Sequence, residues 1–97
     1  MGNTMNAAVA TKRFLFSGHV QGVGFRWTTR KIASSFPITG FVRNLPDGRV
    51  ELVAQGSADV VAEFVSQVEQ QLSENIDTVT DEIVPDAQHM SKFEIRR

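Results

Sequence analysis

Residues 12–37 decide the fold, and they read KRFLFSGHVQGVGFRWTTRKIASSFP. The segment opens with a short apolar and aromatic run, Lys12 to Ser17, which leads straight into a glycine-rich loop and therefore predicts a strand. Beyond the loop, residues suited to a buried face recur three and four positions apart, which predicts a helix. These residues are Phe25, Thr29, Ile32, Ala33 and Phe36. Pro37 ends the helix, because its ring cannot be accommodated in a helix interior.

Two more strand-like runs follow, Gly40 to Asn44 and Arg49 to Ala54, and the turn sequence Leu45-Pro46-Asp47-Gly48 joins them. Because proline, aspartate and glycine each favour a tight turn, we expect the two runs to pair as a hairpin. Ser57 is then expected to cap a second helix with one apolar stripe. The stripe consists of Val61, Phe64, Val65, Val68 and Leu72.

The remaining residues predict two short strands. The β-branched residues between Thr78 and Val84 are typical of a fourth strand, and the acidic residues and Pro85 around them suit an exposed edge. Phe93 and Ile95 alternate with charged residues and predict a closing strand. The order β-α-β-β-α-β predicts an α+β sandwich of the ferredoxin-like class, with two helices on one face of an antiparallel sheet.

Length and composition indicate one domain. The chain has 97 residues, of which 41% are hydrophobic, and it contains no cysteine. We expect residues 1–11 to form a frayed leader and residues 12–97 to form the domain. The leader resembles neither a signal peptide nor a membrane span, so a cytoplasmic monomer is expected. A net charge of −1 does not favour a nucleic-acid or membrane partner, so any anion must be bound locally.

The loop from Gly18 to Arg26 carries the most specific chemistry. Glycines allow the backbone to turn its amides inward, the loop opens into a helix N-terminus, and a guanidinium can bind two phosphate oxygens at once. These features fit a cradle for a small anion such as a phosphoryl group. They also fit a plain strand-to-helix turn with Arg26 in solvent, and the loop alone does not decide between the two.

Two segments together resemble the signatures of the acylphosphatase family. The first is Gly18-x-Val20-Gln21-Gly22-Val23-x-Phe25-Arg26, and the second is Gly40-Phe41-Val42-Arg43-Asn44 followed by Gly48, Val50 and Gly56. The resemblance extends from Phe14 to Arg97. It departs from the family pattern at Phe16, where an aliphatic residue is more usual, and at residues 74–77, where a Gly-Pro pair is missing.

The resemblance implies a metal-free and cofactor-free hydrolase that converts acyl phosphates into a carboxylate and inorganic phosphate. Arg26 would bind the phosphate, and Asn44 would orient the attacking water. The backbone amides expected to help bind the phosphate are those of His19, Val20, Gln21, Gly22, Val23, Gly24 and Phe25. Since carboxylic acids have a pKa of about 4, the carboxylate would leave without a general acid.

Several residues have more than one interpretation. His19 can tune the pH response or simply face solvent, and the acidic run near Asp81 can bind a cation or form a solvated edge. We expect Phe25 and Trp27 to be packing residues rather than base-stacking ones. The alternatives to the enzyme are an accessory module that keeps the fold, and a non-catalytic anion-, ligand- or RNA-binding ferredoxin-like protein.

Overall fold

The computed structural model describes residues 9–97. Five strands and two helices follow one another along the chain. They are β1 (Val9–Gly18), α1 (Phe25–Ala33), β2 (Thr39–Asn44), β3 (Val50–Ser57), α2 (Ala58–Gln71), β4 (Ile76–Ile83) and β5 (Phe93–Arg96). Within these residues, no helix is long and apolar enough to span a membrane.

The strands form one sheet in the order β4-β1-β3-β2-β5. Strand β1 is antiparallel to both β3 and β4, and β2 is antiparallel to β3. The two helices contact this sheet and each other, which confirms the predicted ferredoxin-like class. Strand β5 pairs with β2 in a parallel direction. The expected all-antiparallel sheet therefore has one parallel pair at its edge.

The core lies between the helices and one face of the sheet. Phe16 and Phe25 pack with ring centroids 5.1 Å apart, which fixes the start of α1 against β1. Phe64 of α2 contacts Phe36 and Phe93 through edge-to-face pairs. The whole predicted stripe of α2 is buried. Ser57 caps α2 as expected, since its side chain accepts a hydrogen bond from the Val60 amide at 3.4 Å.

The opposite face of the sheet carries a charge network centred on the buried carboxylate of Glu51. Its carboxylate accepts hydrogen bonds from Arg13 on β1 and Arg43 on β2, each at 2.5 Å, and its side chain is only 5% exposed. Burial acts to raise the pKa of Glu51, but the two arginine hydrogen bonds outweigh it and hold the pKa below its usual value. The network ties the three central strands together.

Several boundaries differ from the sequence-based expectation. Helix α1 ends at Ala33, before Phe36 and Pro37, and β3 continues beyond Ala54 to Ser57. Strand β1 begins at Val9, so residues 9–11 belong to the sheet rather than to a frayed leader, and the rest of that leader lies outside the described residues. Strand β4 is continuous from Ile76 to Ile83 despite its acidic residues, and it occupies a sheet edge as expected. The missing Gly-Pro pair therefore does not delay the start of this strand.

Candidate active site

A cleft of about 460 Å³ opens where the loop after β1, the first turn of α1, the end of β2 and strand β5 meet. We call residues 19–24, which connect β1 to α1, the cradle loop. The cleft is lined by Val20, Gly22, Gly24, Phe25, Arg26, Trp27, Asn44, Ile95 and Arg97.

The shape of the cradle loop depends on two glycines. Gly22 and Gly24 both have φ of 78°, a left-handed conformation that side chains rarely adopt. A Cβ atom at either position would meet no atom of the described chain within 4 Å, so the glycines are required by the backbone and not by close packing. The amides of Val20 to Gly24 have no hydrogen-bond acceptor among the residues that the structure describes. These donors are available to a ligand.

The N-terminus of α1 is also available to a ligand. Its N-cap, Gly24, offers no side-chain hydrogen bond, and its first turn contains no acidic residue. By contrast, α2 is capped by Ser57 and has Asp59 in its first turn. Because the first amides of a helix carry a partial positive charge, the uncapped end of α1 favours an anion in the cleft.

Arg26 supplies the positive charge at this end of the cleft. Its half-buried side chain follows directly after the buried Phe25, which anchors the helix turn against β1. One terminal nitrogen, Nη1, donates to the carbonyl of Arg96 at 3.4 Å. A guanidinium has five N–H donors, so most of them remain for an anion. The carbonyl of β5 therefore holds the side chain without consuming its binding capacity.

Asn44 is the last residue of β2 and lies opposite Val50 of β3. Its half-buried side chain borders the same cleft as Arg26. Within residues 9–97 its carboxamide has no hydrogen-bond partner, so one acceptor and two donors face no competing group. The fold thus brings together the two side chains that the sequence resemblance singled out, from a helix and from a neighbouring hairpin.

The side chain of Gln21 ties the cradle loop to that hairpin. Its Nε2 donates to the carbonyl of Leu45 at 2.8 Å and to the carbonyl of Arg49 at 2.9 Å. These two carbonyls lie at the two ends of the β2–β3 turn, which begins directly after Asn44. Sequence analysis assigned Gln21 only a backbone role, because a single sequence gives no sign of a contact across more than twenty residues. One amide group thereby fixes the distance between the loop and Asn44.

The predicted backbone donors divide into two groups. Val20, Gly22, Gly24 and Phe25 line the cleft. His19, Gln21 and Val23 do not: His19 is exposed, and Val23 packs against the core. A phosphate-binding role for the amides of all seven residues stays a prediction.

Three residues of the cleft were not expected from the sequence. Trp27 was expected to pack in the interior, but it is 62% exposed and borders the cleft, whereas the expectation was correct for Phe25. The helical period predicts this exposure, since Trp27 lies about 200° around the helix from the buried Phe25. Ile95 and Arg97 enter the cleft because β5 lies beside β2, and nothing in the sequence pattern indicated that pairing.

The fold and the cleft together define a small α+β domain with a glycine-containing loop and a cleft at the N-terminus of its first helix. The sequence model of the acylphosphatase family matches residues 12–95. The chain belongs to the acylphosphatase family, which confirms the resemblance seen in its two signature segments.

Individual relatives agree. An acylphosphatase from Lactobacillus johnsonii is 40% identical over 81 residues, which cover 81% of this chain and 89% of the relative. The crystal structure of acylphosphatase from Bacillus subtilis superimposes with a TM-score of 0.80 at 27% identity, covering 91% of this chain and 99% of that one. An acylphosphatase structure from Coxiella burnetii gives a TM-score of 0.77 at 32% identity, over 91% and 93% of the two chains.

Proposed function

We propose that this chain hydrolyses acyl phosphates to a carboxylate and inorganic phosphate, with Arg26 and the cradle loop binding the phosphoryl group and Asn44 positioning the water. One observation carries the proposal. Among residues 9–97, a single cleft combines an uncapped helix N-terminus, loop amides without acceptors, a guanidinium and a carboxamide without a hydrogen-bond partner. Family membership supports the same reaction.

The chemistry makes few demands beyond these groups. Arg26 and the amides bind the phosphoryl oxygens and offset their charge, which is the largest contribution in phosphoryl transfer. Asn44 holds a water in line with the bond between phosphorus and the bridging oxygen, using its neutral amide as acceptor and donor. The water oxygen bonds to phosphorus, the bridging bond breaks, and the carboxylate leaves with the electron pair. A phosphoryl oxygen takes the proton of the water.

The proposal includes several finer points. The reaction needs no metal ion and no cofactor, and its partner is a small acyl phosphate rather than a nucleic acid or a membrane. The chain is proposed to act as a monomer. The cytoplasm is its expected location.

The test is hydrolysis of benzoyl phosphate in water enriched in oxygen-18, with excess chelator present. We expect turnover under these conditions, with the label in inorganic phosphate because water attacks phosphorus. Label in benzoate would mean attack at the carbonyl carbon and would contradict the role given to Asn44. If inorganic phosphate binds but no substrate is hydrolysed, the chain is a non-catalytic anion-binding module.

A further inference from the structure

Trp27 is the one exposed aromatic side chain that borders the cleft. It is the single tryptophan of the chain, it follows Arg26 on α1, and its side chain is 62% exposed. Burying a large aromatic ring against a ligand is favourable, so a ring left this exposed at the mouth of a site is a candidate contact surface.

The Trp27 ring contacts a lysine of its own helix. The ammonium of Lys31, one helical turn later, lies over the indole ring at 5.1 Å from its centroid. The indole also borders a second, shallower concavity together with Arg30, Lys31 and Ser34. The Lys31 ammonium lies over one ring face, and Trp27 is also among the residues that line the cleft beside Arg26.

The geometry points to Trp27 as the residue that binds the acyl group and sets a preference for aromatic acyl phosphates. This inference rests on the proposed function and adds the class of substrate. The phosphoryl group occupies the end of the cleft formed by Arg26 and the cradle loop. In-line attack by a water at Asn44 requires the leaving group to point away from Asn44, towards the other wall and the mouth of the cleft.

Besides the cradle loop and Phe25, the cleft lining includes two apolar residues, Trp27 from α1 and Ile95 from β5, together with Arg97. An aryl group against the Trp27 ring would exchange water contacts for ring contacts. An acetyl group offers much less apolar surface than a benzoyl group does. A benzoyl group is therefore expected to gain from Trp27 what an acetyl group does not.

Phenylphosphonate and methylphosphonate test this inference without turnover, since both present the same phosphonate group and differ in the apolar substituent. In the wild-type chain we expect phenylphosphonate to change the fluorescence of Trp27 more than methylphosphonate does. Trp27→Ala should reduce the preference for the phenyl compound, measured by calorimetry, about five- to tenfold. Trp27→Phe should retain most of that preference.

The control variant is Ile83→Ala, since Ile83 is equally exposed but lies at the far end of β4, away from the cleft. It should leave both affinities unchanged. If Trp27→Ala weakens both phosphonates by the same factor, or neither, Trp27 is not the acyl-binding residue. These binding results are independent of hydrolysis, so a chain that turns over no acyl phosphate would refute the proposed function while the phosphonates still decide the role of Trp27.

Discussion

Thr29 lies on the buried face of α1, and its side-chain oxygen has no hydrogen-bond partner among the residues that the structure describes. A buried hydroxyl without a partner is destabilising because it loses its water contacts and gains none in return. We predict that Thr29→Val, which replaces the hydroxyl with a methyl group of similar size, raises the free energy of unfolding by about 1 kcal/mol. Denaturant unfolding measures this. Thr28→Val, at a half-exposed position, is the control and should change little.

Neighbouring residues of α1 show what a single sequence can and cannot predict. Phe25 and Thr29 are four residues apart and both buried, as the helical period predicts. Trp27 was misjudged because hydrophobicity was given more weight than its position around the helix. The hydrogen bond from Arg26 to the Arg96 carbonyl was beyond prediction, since it depends on where a distant strand lies.

The hydrogen bonds of Gln21 connect two elements, the cradle loop and the β2–β3 turn, and we expect turnover to depend on them. Gln21→Glu keeps the size of the side chain but removes both N–H donors and sets a carboxylate against two carbonyl oxygens. Because Asn44 precedes that turn, a small displacement should lower kcat by about tenfold to a hundredfold. Steady-state kinetics measure the loss.

Inhibition by inorganic phosphate should also weaken in Gln21→Glu, because the variant adds a negative charge to the cradle loop even though Arg26 and the loop amides are retained. Gln67→Glu, on the exposed face of α2, introduces the same charge away from the cleft and serves as the control. A folded Gln21→Glu protein with wild-type kcat would show that the loop and the turn are positioned by other contacts.

Elements with strong local patterns were predictable, and pairings between distant elements were not. The predicted cap and apolar stripe of α2 were correct because both depend on residues that lie close together in the sequence. Strand β5 was expected from Phe93 and Ile95, but alternation predicts only which face a residue occupies. Its parallel direction and its place beside β2 follow from packing against Phe64 and from the connection after β4, which no local pattern reveals.

For the molecule as a whole, the network around Glu51 predicts how stability depends on pH. The pKa of Glu51 is lowered from its ordinary value of 4.5, so the folded state gains stability above that pH and loses it as the pH falls through the lower folded value. Glu51→Gln should reduce the free energy of unfolding at pH 7 by roughly 2 kcal/mol, because two arginines lose a buried carboxylate.

Unfolding curves recorded between neutral and acid pH check this prediction. Glu51→Gln should show a shallower loss of stability in acid than the wild-type chain. Glu94→Gln is the matched control, because Glu94 also pairs with an arginine but lies in a more exposed position, where ion pairs contribute little. An unchanged acid slope in Glu51→Gln would mean that other carboxylates govern the acid sensitivity.

The central claim is that Arg26 binds the phosphate and Asn44 positions the water. The most direct test measures kcat and the inhibition constant of inorganic phosphate for Asn44→Ala and Arg26→Ala. We predict that Asn44→Ala lowers kcat by about two to three powers of ten while phosphate inhibits within about twofold of its wild-type constant. Arg26→Ala should lower turnover at least as far and weaken phosphate as well. Near-wild-type turnover in folded Asn44→Ala protein, or loss of phosphate binding in step with kcat, would contradict the account.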